Sequence, residues 1–463
     1  MADMQPVSAP DAGVATSSPE IAQAPVRVPF SVVDEVVCLL DTEAEPWSVQ
    51  VEVRVAGHLD ESRLRVALGQ ALSRHPMARA RKAASRRTSH RDSWEITPEP
   101  DLDVLRVVGC ADDSALDAAR MGLQSTGVPL VESPPMRVRL ARHPDGDVLM
   151  LNVNHAATDG FGALRILRSV ARAYTGDADP VPDVDFLAQR DLHARHAAPD
   201  ATTRLRRQLA VAEKLRDVVA PPARVAAEQG RDAPGYGLRH VGLGTEETGR
   251  LVDLDHPGSV NDVLLAALHL AIGDWNARHG VACRRIAVLV PSNLRPAASR
   301  EETVGNFSLP ARVSTGRRHR RTPAAALHAV TRQTRRKKQG GMGTGLLELL
   351  RGSHLLPLWA KQAMVALLPL GGNRLVDTAI LSNLGRLDDP PSFGDDAGPT
   401  VAVSFSAPAR MPLGLSVGAV TVNGSLQLVF RHRHPILGPD AIRRFADCYI
   451  SQLQALTTRP TDG

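Results

Sequence analysis

The sequence predicts an α+β fold of two lobes, each a two-layer sandwich of helices on a sheet. A chain of 463 residues is too long for one core, because cores stop growing near ~250–300 residues. Both halves mix strand-like alternation with helical spacing of apolar residues, and no internal repeat relates them. We expect a disordered leader at residues 1–27, an N-terminal lobe at 28–180, a connecting segment at 181–234 and a C-terminal lobe at 235–463.

The first half opens on a strand and contains a strand that runs into a helix. Residues 49–55 alternate apolar and polar side chains, as a half-buried strand does. Asp60 can cap the helix that follows, in which apolar residues recur at spacings of three and four. Residues 136–140 and 148–153 predict two strands joined by a turn. The apolar residues after Gly160 fall on one helical face.

The second half begins with a long apolar helix and closes with a hairpin and an amphipathic helix. Asn423-Gly424 is its clearest short signal, since an Asn-Gly pair favours a two-residue hairpin turn. Earlier in this half, a strand-like run ends at Pro291. In the connecting segment, a helix is predicted near residues 203–219. The elements predicted for the second half are a helix at 261–278, strands at 285–290, 413–422 and 425–430, and a helix at 438–456.

Charge and composition narrow the class of function. The net charge is +5 and aromatic residues make up 3% of the chain. With no aromatic residues between the basic ones, nucleic acid is disfavoured as a partner. Positive charge is concentrated at residues 317–321 and 332–338, either as a solvated helix face or as a surface for phosphate or an acidic carrier protein. Four scattered cysteines predict reduced thiols and a cytoplasmic protein.

Apolar runs are too short for a membrane span, which needs about eighteen consecutive apolar residues. The nearest run, residues 355–371, is interrupted by Pro357, Lys361, Gln362 and Pro369. No spanning segment is therefore predicted, and contact of this run with a lipid surface stays open.

Several generic motifs fail on their context. Residues 414–418 match the G-x-S-x-G nucleophile elbow, but a strand and a hairpin follow where that motif requires a helix. His193 with His196, and His432 with His434, lack a carboxylate or cysteine at ligand spacing, so no metal site is predicted. The sequence contains no phosphate-binding loop or dinucleotide fingerprint.

One histidine stands where a predicted strand meets a predicted helix. The strand delivers Asn154 and His155 to its end, and the helix begins at Gly160. A histidine at such a junction can face a cleft from a rigid element and act as a general base. Asp159 can hold the loop, cap the helix or bind a cation. The spacing alone favours the other interpretation, in which His155 is a buried core histidine and Asp159 an ordinary N-cap.

Residues 155–160 resemble the HxxxDG core shared by peptide-synthetase condensation domains, polyketide-associated acyltransferases, and wax-ester and diacylglycerol acyltransferases. Further segments are similar to those of this chloramphenicol-acetyltransferase-like superfamily and occur in the same order along residues 28–456. They are Arg74-His75-Pro76 with Arg79, the two strands at 136–153, a P-x-x-L-R segment at 290–296, a GN strand at 304–307 and an SN-x-G strand at 379–385.

The resemblance implies two chloramphenicol-acetyltransferase-like lobes arranged in a V, with a tunnel between them. It implies transfer of an acyl group from a phosphopantetheine thioester to a small-molecule alcohol or amine. Coenzyme A or an acyl or peptidyl carrier protein would carry the thioester as co-substrate, with no permanently bound cofactor and no metal. We expect a monomer in actinobacterial-type specialised metabolism.

The resemblance also implies roles for individual residues. His155 would be the general base, and Asp159 would brace the loop by pairing with Arg295 from the other lobe. The backbone N–H of Gly160 and the Ser382 hydroxyl would donate to the oxyanion of the tetrahedral intermediate. The residues assigned to substrate binding are Asn154, Asn306, Ser382 and Asn383.

Asn154 is a departure from the family pattern, which often has a second histidine at that position.

Two alternatives to an acyltransferase of specialised metabolism stay open. One is a lipid acyltransferase of the wax-ester or diacylglycerol type, for which residues 355–368 would contact lipid. The other is a non-catalytic carrier-binding module, suggested by Asn154 and by the basic cluster.

Overall fold

The computed structural model describes residues 25–181, 185–228, 235–253, 258–350, 352–367, 374 and 376–458. Most of the predicted leader and part of the predicted connecting segment lie outside the described residues. The strands are β1 (Val26–Pro29), β2 (Ser48–Val55), β3 (Ala80–Lys82), β4 (Ser93–Ile96), β5 (Leu105–Gly109), β6 (Met136–Arg142), β7 (Val148–Asn154), β8 (Tyr236–Leu243), β9 (Arg285–Asn293), β10 (Ser308–Gly316), β11 (Ala379–Leu387), β12 (Thr400–Ser406), β13 (Leu415–Val422) and β14 (Ser425–Arg433). The helices are α1 (Val32–Leu40), α2 (Glu61–Arg74), α3 (Asp113–Ser125), α4 (Gly160–Thr175), α5 (Phe186–Arg190), α6 (Leu192–Arg195), α7 (Ala201–Val219), α8 (Thr245–Val252), α9 (Val260–Arg278), α10 (Pro323–Gln339), α11 (Thr344–Leu350), α12 (Leu358–Leu367) and α13 (Pro439–Thr457).

The N-terminal lobe is built on a five-stranded sheet in the order β12-β2-β7-β6-β5. Helices α2 and α4 pack against each other, and α4 packs on β2 and β7. Asp60 caps α2 as predicted, its side chain accepting from the Arg63 N–H at 2.7 Å. Because β7 is buried along its whole length, its carboxyl end is a rigid point from which a side chain can be aimed.

The C-terminal lobe is built on a six-stranded sheet in the order β10-β9-β11-β13-β14-β8. The apolar helix α9 is buried between this sheet and helices α10 and α13. The predicted hairpin is confirmed between β13 and β14. Asn423 and Gly424 have φ angles of +49° and +75°, the left-handed pair that a type I′ turn requires.

Strand β12 corrects the lobe boundaries that we drew along the sequence. It lies within residues 235–463, which we assigned to the C-terminal lobe, yet it pairs antiparallel with β2 of the N-terminal sheet. Val403 and Phe405 accordingly belong to the N-terminal core. The two paired strands are about 350 residues apart in the sequence, and nothing in the sequence of either strand indicates which strand it pairs with.

Two other expectations were wrong in detail. Strand β9 does not end at Pro291 but continues to Asn293. Pro291 faces Pro310 of β10, and β11 pairs with β9 only at Val288 and Leu289, so no partner strand needs an N–H from Pro291. Residues 304–307 do not form a strand; they lie in the loop before β10.

Four histidines in the lobes have pKa values far below the ordinary 6.5; three are buried, and the fourth, His240, is partly exposed. Burial is the main cause in each, and neighbouring positive groups such as Arg165 beside His75 and Arg320 beside His269 add to it. The pKa is about 3 for His75 and His269, and about 4 for His240 and His432. These side chains are therefore neutral in the folded protein at neutral pH.

We expect the free energy of unfolding to fall as the pH drops from about 6.5 towards 4. In that window the unfolded chain binds protons that the folded protein excludes, and each such histidine costs up to ~1.4 kcal/mol per pH unit. Chemical unfolding at several pH values measures the slope. His269→Gln removes one of these titrating groups and is expected to flatten the curve by about one proton. An unchanged slope in this variant would contradict the assignment.

Candidate active site

The loop after β7 is held by its own backbone and by Asn154. The Asn154 carbonyl accepts from the N–H groups of Ala157 and Thr158 at 3.0 and 3.3 Å. Its side-chain oxygen accepts from the Ala156 N–H at 3.0 Å, and its amide nitrogen donates to Asp41 at 2.7 Å and to the Val128 carbonyl at 2.9 Å. Asn154 therefore fixes the turn that carries His155.

His155 leaves this turn with one face open to a cavity. Its N–H donates to the Trp47 carbonyl at 2.9 Å, and its carbonyl accepts from the Asn306 side chain at 2.6 Å. The ring lines the cavity, while Nδ1 is buried with no hydrogen-bond partner among the described residues. With Nδ1 buried, we infer that Nε2 is the nitrogen that faces a bound molecule.

The pKa of His155 lies below its ordinary value. Burial is the main cause, because a charged imidazole would lose its water; the charge of Asp159 and backbone groups of His155 and Thr158 act in the opposite direction without overcoming it. The ring is therefore neutral at neutral pH. A neutral imidazole is the form that can accept a proton.

Asp159 is enclosed by donors and does not reach into the cavity as a free carboxylate. It caps α4 by accepting from the Gly162 N–H at 3.0 Å, and it accepts from the Phe307 N–H at 2.9 Å. Arg295 donates to both of its oxygens, at 2.7 and 2.9 Å. Burial alone would raise the pKa of Asp159, but these donors, above all Arg295, outweigh it and lower the pKa.

Arg295 brings the C-terminal lobe to this loop. Besides Asp159, its guanidinium donates to the carbonyls of Thr303 and Gly305, both at 2.8 Å. The guanidinium carbon stands 4.6 Å from the centre of the Phe307 ring. The side chains of Arg295 and Asp159 are both almost fully buried. The pair that the resemblance implies is thus present as a bidentate ion pair between the lobes.

A cavity of about 250 Å³ lies between the lobes beside His155. Its wall is mostly apolar and is built from α1, β9, β10, β11 and the end of β12. The polar side chains in the wall are His155, Asp159, Asn293, Ser308, Ser382 and Asn383. Such a space suits an aliphatic or otherwise apolar group placed next to a small number of polar contacts.

The structure places Ser382 and Asn383 in the cavity wall, on β11. The Asn383 oxygen is already occupied, since it accepts from the Gly385 N–H at 2.8 Å. Gly160 also lines the cavity, at the first turn of α4, where a backbone N–H has no partner within the helix. These three residues share the cavity with His155.

Asn154 and Asn306 do not support the substrate-binding roles that we assigned to them. Both side chains are buried, and neither lines the cavity. All the hydrogen-bonding groups of Asn154 described above point into the protein. Asn306 donates to the His155 carbonyl at 2.6 Å and accepts from the Ser308 N–H at 3.2 Å. They hold the loop that carries His155, because their polar groups bond to other parts of the protein.

Helix α1 and the end of β12 also belong to this site, and neither was predicted to do so. α1 contributes four cavity-lining side chains, Val33, Val36, Val37 and Leu40. A readable signal preceded them, since Ser31 and Asp34 form a capping box. Phe405 and Ala407 arrive through β12, and no local pattern connects them with His155.

Gly160 is fixed by close packing against the cavity wall. A Cβ at this position would stand 2.7 Å from a ring carbon of Phe405 and 3.0 Å from a methyl of Leu384. We expect Gly160→Ala to displace that wall and to lower the turnover number by at least about tenfold, since misplacement of about 1 Å can cost ~10²-fold. Steady-state kinetics with a thioester donor measures this change.

Gly69→Ala is the matched control for that substitution. Gly69 lies inside α2, where an added Cβ meets nothing within 4 Å. The control is expected to raise stability by about 0.5–1 kcal/mol, through helix propensity, and to leave turnover unchanged. Equal turnover in the two variants would show that the space around Gly160 is not needed.

The described residues contain neither a cluster suited to a metal ion nor a helix suited to spanning a membrane. No group of three or more histidine, cysteine, aspartate or glutamate side chains there is placed to hold a metal ion. Nor does this part of the chain contain a helix that is long and apolar enough to cross a bilayer.

Comparisons with known proteins agree with the geometry. The sequence model of the family described as Condensation domain matches residues 36–354. Two Mycobacterium tuberculosis proteins, Rv2305 of strain H37Rv and MT2362 of strain CDC 1551, are each 34% identical over 424 residues. The match covers 91% of this chain and 97% of each of theirs, and both are described as uncharacterized.

Solved structures show the same fold at low sequence identity. The first condensation domain of the CDA synthetase has a TM-score of 0.71 at 16% identity, covering 94% of this chain and 97% of that one. The SgcC5 protein from Streptomyces globisporus, crystallised with (R)-(-)-1-(2-naphthyl)-1,2-ethanediol and sucrose, has a TM-score of 0.65 at 19% identity, covering 93% and 99%.

Proposed function

Because this chain belongs to the condensation-domain family, whose members are acyl or peptidyl transferases, we propose that it is an acyltransferase. It moves an acyl group from a phosphopantetheine thioester to an alcohol or amine, with His155 as general base. One observation carries the proposal: a neutral, partly exposed imidazole opens onto an apolar cavity between two lobes. The fold and the family membership expected from the sequence are both confirmed.

His155 would act without a carboxylate partner of the kind found in a Ser-His-Asp triad. Asp159 is the nearest candidate, but its oxygens are taken by Arg295 and by the N–H groups of Phe307 and Gly162. In a triad the carboxylate accepts directly from the imidazole. Asp159 is instead a positioning residue, which holds the start of α4 and the adjoining loop.

The proposed reaction has two steps. His155 Nε2 removes the proton from the acceptor hydroxyl or amine as its oxygen or nitrogen attacks the thioester carbonyl carbon. The tetrahedral intermediate then collapses, its C–S bond breaks, and the protonated imidazole returns the proton to the leaving thiolate. The Gly160 N–H and the Ser382 hydroxyl are the proposed donors to the oxyanion. No acyl group becomes attached to the protein.

The nature of the substrates follows from the cavity. Its apolar wall supports an aliphatic or aromatic acyl group or acceptor, and proximity of the two reactants in one enclosed space lowers the barrier. Coenzyme A or a carrier protein would present the thioester, since condensation domains work with carrier-bound substrates. The diol in the SgcC5 crystal supports testing alcohols first. The mycobacterial relatives support an actinobacterial setting, in which we propose a role in specialised metabolism in the cytoplasm.

A non-catalytic carrier-binding module is less well supported. That alternative was suggested by Asn154, which replaces a histidine common in the family. Asn154 makes three side-chain hydrogen bonds that hold the turn, so the loop geometry does not depend on a histidine there. A lipid acyltransferase remains the second candidate, and the apolar cavity wall is the observation that favours it.

The proposal is tested by incubating the full chain with acyl-coenzyme A or acyl-carrier thioesters of increasing chain length and a panel of alcohols and amines. Formation of the ester or amide is followed by mass spectrometry, and thiol release is followed in parallel. Long-chain alcohols or diacylglycerol in the panel distinguish the lipid-storage alternative. Thiol release without an acylated acceptor would indicate a thioesterase, and neither product with any donor would favour the binding module.

A further inference from the structure

Helix α12 buries its charged side chain and exposes apolar ones. Its one charged residue, Lys361, is buried and lies 2.9 and 3.0 Å from the two oxygens of the buried Glu35 on α1. On the outer side, Trp359, Met364 and Leu367 are 56%, 59% and 58% exposed. A surface helix ordinarily shows the reverse arrangement, with apolar residues inward, so its outward face needs a separate explanation.

The exposed apolar side chains form one group, which we call the α12 patch: Leu355, Leu356, Trp359, Met364 and Leu367. These are five of the sixteen large apolar side chains that stand exposed among the described residues. Trp359 and Leu367 lie eight residues apart, with Ala363 between them, and so share one face of the helix. Isolated exposed apolar residues are ordinary, whereas a contiguous group marks a binding surface.

A basic loop, residues 84–91, is attached to the first turn of α12. The N–H groups of Leu358 and Trp359 donate to the carbonyls of Ser89 and Arg87 at 2.9 and 3.3 Å. Lys361 donates to the His90 carbonyl at 2.7 Å. These bonds satisfy the open N-terminal donors of the helix and fix the loop beside the α12 patch.

The charge of this loop is one-sided. Arg86, Arg87 and Arg91 are exposed, and they form no ion pair with the other described residues. Neither the loop nor residues 355–367 contain an aspartate or glutamate. The α12 patch therefore lies next to unpaired positive charge with no acidic residue in either segment.

We propose that the α12 patch and the basic loop together bind an anionic phospholipid surface. Apolar side chains enter the boundary between headgroups and acyl chains, and nearby arginines attract anionic headgroups. A tryptophan is favoured at that boundary, because its ring has an apolar body and a polar N–H. A folded protein partner would need a groove shaped to this convex helix, whereas a fluid bilayer accommodates it.

Helix α1 connects this surface with the cavity. Val33, Val36 and Val37 line the cavity, and Glu35 of the same helix holds Lys361 of α12. The α12 patch is therefore one helix away from the cavity. Together with the proposed function, on which this step rests, binding to a bilayer assigns a lipophilic class to one substrate.

Sedimentation of the full chain with vesicles tests the binding directly. We expect binding to vesicles of phosphatidylcholine mixed equally with phosphatidylglycerol, weaker binding to phosphatidylcholine alone, and loss of binding at high salt. Arg86→Ser with Arg87→Ser is expected to weaken binding by about fivefold per arginine. Trp359→Ser with Leu367→Ser is expected to weaken it by at least about tenfold.

Tryptophan fluorescence locates the contact. The chain has four tryptophans, of which Trp94 and Trp275 are buried and Trp47 is half-buried. A blue shift on adding the mixed vesicles is therefore expected to come from Trp359. In Trp359→Phe the shift should disappear while most of the binding remains.

Val66→Ser is the matched control, since Val66 is an exposed apolar residue on α2; it should bind vesicles like the parent. Equal binding by the parent and the Trp359→Ser, Leu367→Ser variant would overturn the proposal. So would failure to bind vesicles together with saturable binding of an acidic carrier protein at the same surface. Turnover of a soluble thioester should persist in the patch variants, which separates this test from that of the proposed function.

Discussion

Replacing His155 with glutamine is expected to lower the turnover number by about 10²–10⁴-fold. Glutamine keeps much of the volume of the ring but cannot accept a proton at neutral pH. Among the described residues, no hydrogen bond joins the imidazole to the Asp159–Arg295 pair, so that pair does not depend on it. Folding should therefore be preserved, and thermal unfolding checks this.

The pH dependence of kcat/KM provides the more specific measurement. Because burial lowers the pKa of His155, the protein keeps the neutral base to a pH below 6.5, and the acid limb should have an apparent pKa below that value. The limb should vanish in any residual activity of His155→Gln. His58→Gln is the control, because His58 is exposed, hydrogen-bonded to Asp147 and outside the cavity wall. Full turnover by His155→Gln would exclude the general-base role.

Replacing Arg295 with methionine is expected to lower the free energy of unfolding by about 3–5 kcal/mol. The substitution leaves the Asp159 carboxylate buried without its counter-ion, and it removes the donors to the Thr303 and Gly305 carbonyls. In the parent, Arg295 lowers the pKa of Asp159. In the variant the pKa rises, so the deficit should shrink as the pH falls and the carboxyl takes up a proton.

A double-mutant cycle separates the charge from the packing. Asp159→Asn combined with Arg295→Met has no uncompensated buried charge, so it should be more stable than Arg295→Met alone. The pair Glu246 and Arg250 is the control, because both side chains are largely exposed and 3.1 Å apart on α8; Arg250→Met should have little effect. Additive losses at Asp159 and Arg295 would refute the bracing role.

The elements with strong local periodicity could be predicted from the sequence. α4, α9, α13 and the β13–β14 hairpin appeared within a few residues of their predicted bounds, because their signals lie in consecutive residues. The ion pair of Asp159 with Arg295 came from resemblance alone. Its members are 136 residues apart, and no spacing rule joins them.

The roles of Asn154 and Asn306 could not be predicted, because an asparagine side chain can bond equally well to a substrate or to the protein itself. Asn154 and Asn306 carry the polar groups that a substrate site needs, so the sequence suggested binding. In the structure, the side chain of Asn154 donates hydrogen bonds to Asp41 and to the Val128 carbonyl, and that of Asn306 donates to the His155 carbonyl. A polar residue in a motif does not reveal whether its hydrogen bonds point into a cavity or into the protein, because that depends on contacts made by distant segments.

The position of strand β12 in the sequence affects how the chain can fold while it is being synthesised on the ribosome. β2 leaves the ribosome early, but its outer neighbour, β12, follows about 350 residues later. At ~5–20 residues per second, the valine-rich edge of β2 stays unpaired for roughly 20–70 s. An open edge of this kind can recruit foreign strands. During this interval the chain is most exposed to aggregation, and a chaperone would protect it most. The interval ends when β12 is synthesised and pairs with β2.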